Sequence, residues 1–343
     1  MKSSKTAVSF VKMALALVVA TACSPVGAQS TTARTQSATV DAQSVPSGTK
    51  PTLQPLPGVY RFDVGDLRMT VLSDGTVAQD LYTVMPQVPR AEIERSLYRG
   101  YVSNPLEASI NVVLIEMGER RVLVDTGSGE LFGPGNGGKL VSALQAVGLR
   151  PDRITDILLT HIHGDHSGGL VVNGKMLFPN AIVHVGKPDV DFFLDRSNSA
   201  KTGYAMHYFD EAIKCVKPYV DAGKVRTFSR TAEVLPGITA TLHPGHTPGT
   251  AFYVAESRGE KITFIGDTIH FGAIQFPNPS LTVAYDVDSK EAARVRTQQF
   301  STLAQQRMLV AAPHLPFPGV GHMRPEPGGS FSWVPVDYTN RQP

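Results

Sequence analysis

The chain has 343 residues, 42% of them hydrophobic, which excludes a disordered polymer and suffices for the core of one large domain or two small ones. Its formal net charge of +2 comes without any basic run or patch of basic residues interleaved with aromatics, so nucleic acid is not an expected partner.

Lys2, Lys5 and Lys12 precede the apolar stretch from Met13 to Ala20, and Val26-Gly27-Ala28 supplies small residues for cleavage, the layout of a secretory leader. Residues 1–28 therefore read as a signal peptide, and export to a periplasmic or extracellular space is the expectation. The apolar run is short for a membrane span, and a lipoprotein anchor at Cys23 is the minor alternative. Cleavage after Ala28 removes three lysines from 32 basic residues, leaving 29 against 30 acidic ones and a charge near −1. Cys215, the other cysteine, then has no internal partner and reads as a small buried hydrophobe. Residues 29–57 are rich in Gln, Ser, Thr, Ala and Pro and cannot bury enough apolar surface to offset ordering, so they read as a flexible linker.

One domain is expected over 58–343. Its first strands fall near 59–62 and 67–72, followed by a turn at Ser73-Asp74-Gly75-Thr76. Further strands are expected at 110–116, 121–125, 154–159, 182–185, 238–242, 251–255, 262–265 and 308–311, several of them continuous apolar runs suited to burial on both faces. Helices fall between them at 139–147, with Gly148 as C-terminal cap, at 189–194, at 205–221 and at 290–306, with Ser289 as N-cap. This order predicts an α/β fold, a sandwich of two sheets with helices packed outside.

The densest chemistry is His161-Ile162-His163-Gly164-Asp165-His166, directly after the apolar run at 154–159. Three imidazoles and a carboxylate in six residues repel one another when charged, whereas a divalent cation turns each neutral nitrogen and each carboxylate oxygen into a bond. His246, Asp267 and His314 each follow the end of an expected strand, where side chains on one rim of a sheet converge, and glycines before His246 and Asp267 permit sharp bends. Seven oxygen and nitrogen ligands without a thiolate suit two divalent ions, zinc first, with manganese, iron or cobalt also compatible. Of the other histidines, His184 and His207 read as structural, His322 as a loop residue, and His243 as either a turn residue or a partner to a ligand. His270, three positions beyond Asp267, is expected on the wall of the site.

The order HxHxDH, then His, Asp and His, resembles the metallo-β-lactamase superfamily, over essentially everything from residue 59 onward. The resemblance implies an αβ/βα four-layer sandwich. It also implies that His161, His163 and His246 hold one metal, that Asp165, His166 and His314 hold a second, and that Asp267 bridges them. Asp125, in Val124-Asp125-Thr126-Gly127, would then steady a ligating histidine. True β-lactamases of this fold lack the bridging carboxylate, so antibiotic hydrolysis is disfavoured by analogy.

Leu131-Phe132-Gly133-Pro134, His246-Thr247-Pro248-Gly249, Ala273-Ile274-Gln275-Phe276 and the segment from Pro313 to His322 resemble the branch containing methyl parathion hydrolase and its lactonase relatives. That likeness implies small-molecule ester, lactone or phosphotriester substrates, a homodimer as one assembly, and Phe132, Phe193 and Tyr208 as an aromatic pocket, with core packing the ordinary alternative for each. A carboxylate-bridged pair of ions would make hydroxide near neutral pH, with Asp165 or Asp267 relaying the proton and His270 contacting substrate. Where the dedicated phosphotriesterase differs, this chain carries His270, Val283 and Tyr285, which favour planar lactones or aryl esters and leave phosphotriester cleavage as the alternative. A non-catalytic metal-binding module is the reading from another class.

Overall fold

A computed structural model describes residues 56–338. The expected signal peptide, Cys23 and residues 29–55 of the expected linker lie outside the described residues.

Two seven-stranded sheets each follow chain order. The first runs Val59–Val64, Leu67–Gln79, Leu106–Met117, Arg120–Val124, Asp156–Leu158, Ile182–Gly186, Val225–Phe228. The second runs Ala232–Leu235, Ile238–Leu242, Ala251–Ser257, Glu260–Phe264, Leu309–Ala311, Val320–Pro325, Phe331–Pro335. Side chains alternate across Leu106–Met117: Val113 and Ile115 meet Tyr253 and Phe264 of the second sheet, while Val112 and Leu114 pack under Leu144, Phe193 and Phe209 of the outer helices. Phe300 and Leu303, from the Ser289–Gln305 helix, cover the far face of the second sheet against Phe252 and Val310. The result is the four-layer αβ/βα sandwich.

Arg120–Val124 pairs parallel with Asp156–Leu158, and Glu260–Phe264 pairs parallel with Leu309–Ala311. Parallel neighbours end on the same rim, so the loops after these four strands meet there, as ligand-bearing loops of such sheets do. Among the described residues no helix is long and apolar enough to cross a membrane.

Several local expectations are corrected. Ser73-Asp74-Gly75-Thr76 is not a turn: the Leu67–Gln79 strand runs through it with a bulge between Ser73 and Gly75. Pairing with the neighbouring strand overrides the turn composition, and the bulge aims Asp74 inward, where its carboxylate accepts from Ser128 N, Ser128 Oγ, Gly138 N and Leu140 N. Asp74→Ala leaves those donors without an acceptor and is expected to cost about 3 kcal/mol, read from the urea midpoint. The expected 205–221 helix is two, Met206–Cys215 and Lys217–Asp221, because Pro218 has no N–H with which to continue the first. The long C-terminal helix is capped by Asp288, which accepts from Glu291 N, rather than by Ser289. His322 lies on a strand, Val320–Pro325, and not in a loop. Gly148 does follow its helix in the left-handed conformation, φ +79°, with Leu149 N donating back to Leu144 O.

Candidate metal centre

Backbone geometry aims the ligand loops. Gly245 (φ +138°) and Gly266 (φ +48°) precede His246 and Asp267, and a Cβ on Gly245 would meet Ala292 N at 2.4 Å, so only glycine fits that approach. Asp125 is itself left-handed, at φ +62°, an uncommon state for a residue with a Cβ. It is held there because its carboxylate accepts from Thr160 N, Thr160 Oγ1 and His166 Nδ1.

Two donor groups result. His161, His163, His246 and Asp267 form one, and Asp165, His166, Asp267 and His314 the other, with the ligand atoms of each group within 4.8 Å of one another. In the first, His163 Nδ1 lies 3.1 Å from His161 Nε2 and 3.0 Å from His246 Nε2, and Asp267 Oδ2 is 3.3 Å from His246 Nε2. In the second, Asp267 Oδ1 lies 3.0 Å from both His166 Nε2 and His314 Nε2, and Asp165 Oδ2 is 3.4 Å from His314 Nε2. Bonds of about 2.1 Å to a tetrahedral ion set its ligand atoms about 3.4 Å apart, so the spacings fit one ion per group.

The opposite nitrogen of each imidazole is already committed. His163 Nε2 donates to Tyr204 Oη, which donates to Tyr285 O; His246 Nδ1 donates to Asp286; His166 Nδ1 to Asp125; His314 Nδ1 to Ser109 O; and His161 Nδ1 faces Thr160 Oγ1 at 3.1 Å. With those nitrogens engaged, five inward nitrogens are the ones free to offer a lone pair to a metal in exchange for a proton. His166 Nε2 and Asp267 Oδ1 are buried and make no hydrogen bond, as befits ligand atoms.

Burial, reinforced by the neighbouring imidazoles, holds His161 and His163 well below the usual range. At His166 burial is outweighed by Asp267, Asp125 and Asp165, which hold it well above that range, and at His246 burial is outweighed by hydrogen bonds to Asp267 and Asp286, which push it up to about 9. For the carboxyl of Asp267, burial is likewise outweighed, by His166 and His314, and it sits well below its ordinary value. The field around Asp267 thus gathers positive charge, which divalent ions supply.

Each residue expected at the site can now be placed. Asp125, His161, His163, Asp165, His166, His246, Asp267 and His314 meet as described. His270 is buried beside them, Nε2 3.0 Å from Asp267 Oδ2 and its ring stacked on His314. A cavity of about 280 Å³ opens onto the cluster, with Phe132, Tyr208, His270 and Tyr285 on its wall. Phe193 is not on that wall: fully buried, it packs edge-on against His163 at 5.5 Å and steadies the ligand from behind. Val283 lies in a separate apolar cluster with Leu81 and Phe271. His243 packs against Phe252 with its ring tilted by 34°, and burial lowers it to about 4.

Asp286, Tyr204, Thr160 and Glu211 were not foreseen. Only Asp286, amid Tyr285-Asp286-Val287-Asp288, left a faint signal, an acidic run that does not follow a strand. Asp286→Asn replaces the carboxylate that receives the His246 proton, and such partners typically set metal affinity by about 10–100-fold. A loss of that order is expected in chelator competition, with the fold unchanged by circular dichroism.

The chain matches the metallo-β-lactamase superfamily model over residues 107–301, more than half its length. It is similar to the solved hydrolase AbOPH of the β-lactamase superfamily, with a TM-score of 0.79 and 32% identity over 84% of this chain and 100% of that one. It is also similar to AidC, a dizinc quorum-quenching lactonase solved with the product N-hexanoyl-L-homoserine, with a TM-score of 0.75 and 28% identity over 83% and 99% of the two chains. An N-acyl homoserine lactonase of Bacillus thuringiensis is 28% identical over 129 residues, 37% of this chain and 44% of the relative, so the match spans less than half of that protein.

Proposed function

The chain belongs to the metallo-β-lactamase superfamily and is a lactonase-like hydrolase of that fold, and we propose that it is exported and opens lactones or cleaves aryl esters. The observation that carries the reading is the pair of donor groups sharing Asp267 at the floor of the 280 Å³ cavity. When bound, two divalent ions supply activated water near neutral pH and polarise a carbonyl oxygen. The residues present would hold them as the two groups are built, and zinc suits an all-nitrogen-and-oxygen set of this geometry.

The protein's own groups do the rest. Asp165, the most exposed of the seven ligands, faces the cavity and is placed to carry a proton to a leaving alkoxide. His270 and Tyr285, their rings 5.1 Å apart, narrow the space beside Asp267 and leave room for a planar acyl group more readily than for a tetrahedral dialkyl phosphoryl group. Tyr208 and Phe132 line the far wall, where a leaving group or acyl arm would rest.

The test compares kcat/KM of the metal-loaded mature protein on an acyl-homoserine lactone, dihydrocoumarin, an aryl acetate and a dimethyl aryl phosphotriester. Lactone or aryl ester is expected to lead the phosphotriester by more than about a hundredfold, some 2.7 kcal/mol. A lead for the phosphotriester would overturn the assignment.

A further inference from the structure

The Met206–Cys215 helix places His207, Tyr208 and Glu211 on one face, at helical spacing, and all three line the cavity. Glu211 leans over the metal-binding loop: a Cβ on Gly164 would lie 2.7 Å from Glu211 Oε2. Asp165 and Asp267, the other carboxylates on the wall, belong to the donor groups; Glu211 does not. Among the described residues nothing hydrogen-bonds or ion-pairs with it, and no lysine or arginine lines the cavity. Lys214, one turn further along the helix, is exposed and off the wall. A half-buried carboxylate without a partner carries a desolvation cost that a complementary ligand offsets. A second feature points to the same ligand: Phe132 and Tyr208 line the same far wall of the cavity, and aromatic rings beside a carboxylate are the chemistry that recognises ammonium groups.

We propose that Glu211 is a specificity determinant, and that with Phe132 and Tyr208 it selects esters or lactones carrying an ammonium group over those carrying a negative charge. This rests on the ester- or lactone-hydrolase reading above. The ammonium would sit on the part of the substrate farther from the scissile carbonyl, against the Met206–Cys215 helix, with the carbonyl at Asp267.

The experiment uses metal-loaded protein and three aryl esters matched in size that bear a trimethylammonium, an isosteric tert-butyl or a carboxylate group, each rate divided by that ester's alkaline hydrolysis rate. In the wild type the trimethylammonium ester is expected to lead the tert-butyl ester in kcat/KM by about tenfold and the carboxylate ester by more. In Glu211→Gln the ratio of trimethylammonium to tert-butyl is expected to collapse about tenfold, a comparison within one variant that cancels any shared change in folding or metal content. A ratio within twofold of the wild-type value overturns the proposal. If no ester is turned over, the hydrolase reading fails separately, and binding still decides the role of Glu211. Choline is expected to bind about tenfold more tightly than its neutral isostere 3,3-dimethylbutanol in the wild type and equally in Glu211→Gln, by ligand-observed NMR titration; equal binding in the wild type overturns the proposal.

Discussion

Asp267→Ala is expected to reduce turnover by about a thousandfold, some 4 kcal/mol of transition-state stabilisation, and to leave the purified protein with no more than one tightly held ion per chain. The size of the effect follows from position. Asp267 is 2% exposed and contributes Oδ2 to one donor group and Oδ1 to the other, with His161, His166, His246, His270 and His314 all within 3.6 Å of its carboxylate. Its loss removes a ligand from both groups at once and leaves a buried ring of imidazoles with a smaller share of the negative charge that makes cations welcome. The remaining carboxylate, Asp165, is on the second group alone. Metal analysis alongside kcat checks the result, and a variant with near-normal rates and two ions would show that the bridge is misassigned.

Exhaustive chelation is expected to abolish hydrolysis, and zinc, cobalt or manganese to restore it. Stability falls in parallel. An ion present at about a thousand times its dissociation constant stabilises the folded state by about 4 kcal/mol, and two such sites in a domain of this size correspond to a drop in Tm of about 10 °C or more. Removal leaves His161 Nε2 and His246 Nε2 3.1 and 3.0 Å from His163 Nδ1 with no ion to hold the three rings together. Differential scanning calorimetry with and without chelator measures the shift. Activity that survives in metal-free protein would remove the basis of the hydrolase assignment.

The residues of the two donor groups were legible in the chain because their signals are local. HxHxDH is contiguous, and His246, Asp267 and His314 each follow an apolar strand whose end the parallel pairing brings to one rim. Asp125 was legible for the same reason. The groups that tune those ligands were not. Asp286 reaches His246 across 40 residues and Tyr204 reaches His163 across 41, contacts that no spacing encodes. Phe193 shows the limit from the other side: an aromatic beside a site is wall or core according to which face of its helix turns inward, and here it turns inward. Asp74 sits in a sequence that reads as a turn until the neighbouring strand pairs with it. The strand carrying His322 is hidden by Pro316, Pro318, Gly319 and Gly321, residues that ordinarily end structure.

The most direct measurement is anomalous diffraction at the zinc edge from crystals of the zinc-loaded protein. Two peaks are predicted, one among His161, His163, His246 and Asp267 and the other among Asp165, His166, Asp267 and His314, with ligand distances near 2 Å. A single peak, or ions seated without Asp267, would contradict the shared two-ion centre.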